Sequence, residues 1–224
     1  ECLKVFLSDD AQHHIATPNP EMLIAAQASP EFLYVLQSTS LNIPDGIGLI
    51  FAASFLGFLL PERVTGVDLM TDICTTLPNV RVFFLGAAPG IAERTAHILS
   101  IQNPSLSIVG TFAGSPSSKD EELILGKIIH SQANVLFVAY GSPAQELWIA
   151  RNLQKMPNIR IAMGVGGAFD FLAGKQLRAS CTFQKFGLEW LWRLLHEPQR
   201  FVRIFHAVIE FPLRVLYSKI IHSQ

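Results

Sequence analysis

Between residues 80 and 167, short and densely apolar runs alternate with longer segments whose apolar residues recur every three or four positions. VRVFFLG (80–86), LSIVGTF (106–112), NVLFVAYG (134–141) and IRIAMGVGG (159–167) are compact and rich in Val, Ile and Phe, so each predicts a buried strand. PGIAERTAHILSIQ (89–102), SKDEELILGKIIHSQ (118–132) and SPAQELWIARNLQ (142–154) carry helical spacing between them. Strand and helix in strict alternation predict a Rossmann-like α/β fold, a mostly parallel sheet with helices on both faces.

The flanking segments follow other rhythms. PEMLIAAQ (20–27) and PEFLYVLQ (30–37) read as short helices opened by Pro-Glu, with the acid where it suits the helix dipole. The longest uncharged run, GIGLIFAASFLGFLLP (46–61), falls short of the ~20 residues that cross a bilayer and reads as a buried helix. Beyond residue 182 no strand signal remains. Residues 1–182 are therefore expected to form the α/β domain and 183–224 a helical appendage, broken near Pro198 and Pro212.

Composition narrows the class. Hydrophobic residues make up 50% of the 224 and charged residues only 16%, which excludes a disordered chain. The net charge of −1 conceals an asymmetry: residues 1–170 hold 9 Lys/Arg and 15 Asp/Glu, and residues 171–224 hold 8 and 3. A basic C-terminal quarter on an acidic body suggests an anionic partner for that quarter: a membrane, a phosphate or a nucleic acid. Cys2, Cys74 and Cys181 form no CxxC pair and no zinc spacing, so a reducing compartment and a buried apolar role for each are expected. No secretory signal is visible, and the first residue, Glu1, leaves room for an upstream segment.

Candidate chemistry gathers at turns. In open parallel sheets, ligands bind beyond the carboxyl ends of the strands. Three predicted strands end in LGAAPG (85–90), YGSPAQE (140–146) and GVGGAFD (164–170), where Gly86, Gly141, Gly166 and Gly167 can bring backbone N–H groups close to an anion. The same glycines also serve plain tight turns, and none forms GxGxxG or a phosphate loop. Gln145 can read an amide or a sugar hydroxyl; Glu146 can do likewise or simply complement its helix dipole. Asp45, in the PDG turn (44–46), is either turn punctuation or a base at the mouth of a pocket. Arg63 can meet a diphosphate or be an ordinary loop arginine.

Metal and nucleophile signatures are missing: no HExxH, GxSxG or Asp-x-Asp occurs. His13 and His14 read as polar surface residues, and His206 with Glu210 makes a poor metal site. Any diphosphate charge then falls to arginines and helix N-termini. Arg193, Arg200 and Arg203 lie within roughly 80° of one another on an ideal helix, beside Trp190, Trp192, Phe201 and Phe205. That mixture suits a membrane interface, pyrophosphate binding, or a packed helix with a solvated basic face.

Taken in order, TPNPEM (17–22), PDGIGL (44–49), ERVTGVDLM (62–70), VFFLGAAPGIAE (82–93), IVGTFAG (108–114), GSPAQELWIA (141–150), VGGAFDFLAGKQLRA (165–179) and LEWLWRLLHEPQRFVR (188–203) carry a resemblance. The chain resembles the WecG/TagA/CpsF glycosyltransferases, family 26, over nearly its whole length. The resemblance implies transfer of an N-acetylmannosamine-type sugar from a UDP-sugar donor to polyprenyl-diphosphate-linked N-acetylglucosamine, β1,4-linked and with inversion. It implies peripheral association with the cytoplasmic face of the bacterial membrane, in teichoic-acid or related polysaccharide synthesis. No metal and no nucleic-acid partner are implied, and a homo-oligomer is compatible. By motif it makes Asp45 the base, with Thr17 and Asn19 beside it and Arg63 and Gln145 lining the same pocket. Arg193, Arg200 and Arg203 match positions linked to membrane docking and activity. Ala144 departs from the family's usual basic residue and Ser180 from its usual proline, and the family's first strand, expected upstream of Glu1, is not seen.

An acceptor hydroxyl is a poor nucleophile while it keeps its proton, and a carboxylate in hydrogen-bond reach can take it. Desolvation by Ile43, Ile47 and Leu49 would strengthen Asp45 in that role. Two other readings compete. A nucleotide-binding α/β oxidoreductase would need a dinucleotide fingerprint; a non-catalytic membrane-associated module would not need Asp45 at all.

Overall fold

The computed structural model describes residues 1–60, 63–176, 183, 189–196 and 201–222. In chain order the elements are α1 (Cys2–Ser8), β1 (His13–Ala16), α2 (Pro20–Ala28), α3 (Pro30–Ser38), β2 (Leu41–Asn42), α4 (Ile47–Leu56) and α5 (Gly66–Thr76). There follow β3 (Arg81–Gly86), α6 (Ile91–Gln102), β4 (Ser107–Phe112), α7 (Glu121–Ser131), β5 (Val135–Ala139), α8 (Ala144–Asn152), β6 (Ile161–Gly164) and α9 (Ala168–Leu172). The C-terminal helices are α10 (Glu189–His196), α11 (Phe201–Phe205) and α12 (Phe211–His222), the last two joined by a π turn over His206–Glu210.

The described residues divide into two compact units. One comprises residues 1–16, 34–42 and 66–176; the other comprises 17–33, 43–65 and 177–224. The first is a Rossmann-like α/β fold. Its six strands run parallel in the order β2-β1-β6-β5-β3-β4. The four predicted strands are all present, and β3, β5 and β6 are buried through most of their length, as their unbroken apolar runs require. Leu85, Leu136, Val138, Trp148, Ile149 and Ala162 form one continuous core, and the Phe84 ring meets Phe169 edge-on at 5.3 Å. Because β6, β5 and β3 are neighbours, the turns that follow them lie side by side at one edge of the sheet.

β1 and β2 carry no compact apolar run and are additional to the four predicted strands. With them comes a correction: His13 and His14 are not a surface pair on a helix. They lie on β1, where successive side chains face opposite ways, and His14 is buried opposite Ala162 of β6.

The second unit is helical. Asn19 caps α2, its Oδ1 accepting the Met22 N–H at 2.9 Å. Arg203 pairs with Glu21, Arg214 donates to Gln27 at 2.7 Å, and the Lys219 ammonium reaches the carbonyl of Phe55 near the C-terminus of α4. Three expectations change here. The 46–61 segment does form a helix, but of its ten helical residues only Leu49 is buried, and Phe51, Phe55 and Leu56 are exposed. Pro212 does not break the C-terminal helix. The chain stays helical from residue 201 to 222, and the Phe211 N–H donates to the carbonyl of His206, a widened turn that accommodates a residue with no N–H of its own. Cys2 is exposed rather than buried, being on a helix with no buried residue, whereas Cys74 is buried and its thiol pKa is pushed up to about 12. Cys181, Pro198 and the boundary at 182/183 lie outside the described residues.

Burial lowers the His14 pKa from 6.5 to about 4. The folded protein then binds fewer protons than the unfolded chain between those values, so His14 costs nothing above about pH 6.5 and destabilises increasingly as pH falls toward 4. Relative to a His14→Phe variant, the native protein should lose on the order of 2–3 kcal/mol between about pH 7.5 and 4.5. Urea denaturation of both proteins across this range measures the difference; an equal pH slope would show that His14 is not held neutral.

Candidate active site

Two groups of predicted site residues are built in two different ways. In the helical unit the backbone does the work. Asp45 donates its N–H to the carbonyl of Pro18 at 2.7 Å, which ties the PDG turn to the Thr17–Pro18–Asn19 run. Val64 donates to the carbonyl of Pro44 at 3.2 Å, which brings the segment carrying Arg63 to the same turn. Thr17, Asn19, Asp45 and Arg63, scattered over 47 positions, therefore belong to one cluster. Gly46 makes it close. Its φ of +111° is open to glycine, and it starts α4 directly after Asp45. Thr17 is buried and Asp45 half-buried. The Asn19 side chain is engaged as the α2 cap, so what it offers the cluster is its remaining amide group.

In the α/β unit a side chain does the work. Gln145 is buried in the first turn of α8, and its Oε1 accepts both the Gly141 N–H at 3.1 Å and the Gly166 N–H at 2.9 Å. One carboxamide thus pins the turn after β5 to the turn after β6. Its Nε2 donates to Glu146 Oε1 at 2.7 Å. Gly164 shows how tight this packing is, since a Cβ there would lie 2.5 Å from Gln145 Nε2 and 2.6 Å from Glu146 Oε1. Gly86 closes the third turn, with φ +107° and a Cβ position 2.8 Å from the Ala139 backbone. Gly167 stands at the N-terminus of α9. Gly86, Gly141, Gln145, Glu146, Gly166 and Gly167 thus share the carboxyl edge of β3, β5 and β6.

Burial pushes the Glu146 carboxyl above its ordinary range, partly offset by hydrogen bonding from Gln145. Tyr140 adds a residue that pattern reading passed over. Its hydroxyl is buried without a partner at the end of β5, beside Gly114, and burial raises its pKa. A polar-tipped aromatic closing an otherwise apolar strand was the available signal. Among the described residues no group of three or more His, Cys, Asp and Glu is placed to hold a metal ion. Of the appendage arginines, Arg203 is paired with Glu21; Arg200 and the Arg193 side chain lie outside the described residues.

The model of the glycosyl transferase WecG/TagA/CpsF family matches residues 1–224. The chain belongs to that family. It is 34% identical over 201 residues to an N-acetylglucosaminyldiphosphoundecaprenol N-acetyl-beta-D-mannosaminyltransferase of Bacillus spizizenii, covering 89% of this chain and 77% of the relative. Relatives of the same name from Bacillus subtilis (29% over 204 residues, 90% and 78%) and Staphylococcus aureus (30% over 211 residues, 91% and 81%) are also similar. The protein is thus a glycosyltransferase, and the glycine-lined turns and the Asp45 cluster are features of a glycosyltransferase chain.

Glu146→Gln keeps an oxygen for the Gln145 amide and removes the charge. Because the native pKa is raised, ionisation costs folding energy above the ordinary carboxylate range. The variant should match the native protein in stability at acid pH and exceed it by a margin that grows as pH rises through the raised pKa. Denaturation midpoints compared across pH measure this, and a margin independent of pH would contradict it.

Proposed function

We propose that this protein is an inverting glycosyltransferase that moves an N-acetylmannosamine-type sugar from a UDP-sugar to polyprenyl-diphosphate-linked N-acetylglucosamine. The observation that carries the reading is the pair of backbone bonds that gather Thr17, Asn19, Asp45 and Arg63 around one turn in a chain matched end to end by the family. The relatives' names supply the donor sugar and the acceptor.

In the reaction, the acceptor hydroxyl oxygen attacks the anomeric carbon of the donor. The bond from that carbon to the diphosphate oxygen breaks, and UDP leaves with the electron pair. The hydroxyl proton passes to the Asp45 carboxylate as the new bond forms, and attack opposite the leaving group inverts the anomeric centre. Thr17 and Asn19 orient the sugars. Arg63 meets the charge on UDP, so the reaction runs without a metal ion; the lack of an Asp-x-Asp motif supports this. Gln145 acts by holding the Gly141 and Gly166 turns in place.

We place the enzyme peripherally on the cytoplasmic face of the membrane. No helix among the described residues is long and apolar enough to cross a bilayer. The helical unit nevertheless exposes Phe51, Phe55, Phe58, Phe201, Leu213, Tyr217 and Ile220, and Leu59 is 93% exposed. So much apolar surface on one unit marks a contact surface. The arginines of the basic C-terminal quarter complement anionic headgroups.

A panel of UDP-sugars offered with a short-chain lipid-diphosphate-GlcNAc acceptor tests the reaction. Asp45→Asn should lower transfer about 10²–10⁴-fold while circular dichroism and UDP binding stay close to native; native-like transfer would remove Asp45 as the base. The full chain should co-sediment with vesicles containing anionic lipid and become more active on them, less so as salt rises. Indifference to vesicles would overturn the membrane placement.

A further inference from the structure

The helical unit contains a cavity of about 440 Å³ framed by α2, α4 and α12. Its walls are Leu23, Ile24, Leu49, Leu56, Phe211 and Val215, with Phe58 and Leu60 at the exposed end of α4. Its polar lining residues are Gln27, Arg214 and Ser218, and Arg214 donates to both Gln27 and Glu210. We propose that this cavity holds the first isoprene units of the lipid-diphosphate acceptor, so that the protein binds the hydrocarbon as well as the sugar. This rests on the acceptor class proposed above.

Three observations select that occupant. First, the volume suits a ligand of small-molecule size, since such pockets run about 300–1,000 Å³. It holds a few isoprene units rather than a whole long-chain tail. Second, the walls are branched and aromatic, and the charge of Arg214 on the lining is paired with Glu210. That matches a methyl-branched hydrocarbon. Third, the cavity is tied to the chemistry by one helix. α4 begins at the residue after Gly46, directly beyond Asp45, and its later turns line the cavity. Leu49 is four residues past Asp45, about 6 Å of helical rise, and Leu56 is about 10 Å farther. A lipid-linked sugar has the same order: reacting hydroxyl, diphosphate, hydrocarbon. The far end of α4 leads to Phe58, Leu59 and Leu60, whose exposed side chains offer the remaining tail a continuous apolar path.

The cavity also accounts for Ala52 and Ala53. On a helix otherwise crowded with Phe, Leu and Ile, two small residues line the hollow. Filling it from that side should be tolerated by the helix, because alanine and larger straight-chain or aromatic residues differ little in helical preference.

The test uses the full chain and a photoreactive prenyl diphosphate of three or four isoprene units. Irradiation should label peptides covering residues 47–60 and 211–218, and an unlabelled prenyl diphosphate should compete whereas inorganic diphosphate should not. Ala53→Phe should weaken binding by about tenfold, the effect of losing burial for roughly two methylenes. Val215→Trp fills the cavity from α12 and serves if the first variant does not fold. Label elsewhere in the chain, or unchanged label in a folded filled variant, overturns the proposal. So does equal competition by a diacyl phospholipid, which would make the hollow a general lipid site. So does loss of label as protein concentration rises, which would make a second copy its occupant. The sugar-transfer panel is read separately. Label in the cavity without transfer sinks the proposed reaction and leaves the cavity standing; transfer without label does the reverse.

Discussion

The hydrogen bond from the Asp45 N–H to the Pro18 carbonyl is the constraint on which the proposed chemistry depends. At 2.7 Å it is short, and it is made by backbone, so it does not depend on the identity of the side chain at either position as long as residue 45 keeps its N–H. It fixes the start of α4 against the start of α2. The surrounding residues are chosen to permit that approach. A Cβ on Gly46 would lie 3.4 Å from the Pro20 ring, and one on Gly48 would lie 3.1 Å from it. Pro20 itself is stationed at the first position of α2, where a missing N–H costs nothing and its ring presents a flat, rigid wall. A carboxylate held in this way needs little reorganisation when an acceptor arrives, and positioning of that kind is a large part of what an active site contributes.

The α/β unit solves a different problem. In the proposed reaction its turns present backbone N–H groups to an anion, yet glycine turns alone have too much freedom to hold a fixed geometry. Gln145 supplies what the glycines lack. Its single oxygen accepts from two turns, and Glu146 accepts from its amide, so the glycine edge is held by a buried polar network. The cost is a carboxyl group buried beside an amide and shifted toward its neutral form. A buried polar network of this kind is worthwhile to the molecule only where geometry matters more than stability, as at a site that must recognise a ligand.

Much of this could be read from the pattern of residues, and the failures have physical reasons. The four predicted strands and the helices between them announce themselves by compact apolar runs, unbroken in β3, β5 and β6 because the parallel sheet is buried on both faces there. β1 contains two histidines among its four residues, so its burial comes from its neighbour β6 rather than from its own composition. β2 has two residues and no periodicity at all. Asp45 was visible as an ionisable residue in an apolar turn, but the bond to Pro18 spans 27 positions and leaves no local trace. Gln145 was visible as a polar residue after a strand; that its oxygen is engaged by two glycines is a tertiary fact that spacing does not encode.

The segment 46–61 is the most instructive departure. Its hydropathy asks for burial, and hydropathy cannot say against what. A helix apolar all round is buried in a protein core or in a membrane, or faces another apolar surface. Here one residue of α4 reaches the core, others line a hollow, and the rest face outward. Lys219 sets its ammonium over the Phe55 ring at 3.9 Å and against the last turn of the same helix, so a cation stands beside exposed aromatic surface. Aromatic, aliphatic and cationic groups in that proximity are what a headgroup region accepts and bulk water does not reward. An enzyme whose acceptor is anchored by a long hydrocarbon meets its substrate where such surface is already solvated by lipid. Under the proposed membrane placement, the apolar excess of this chain, surplus by the standards of a core, becomes the means by which the proposed base and its acceptor are brought to the same plane.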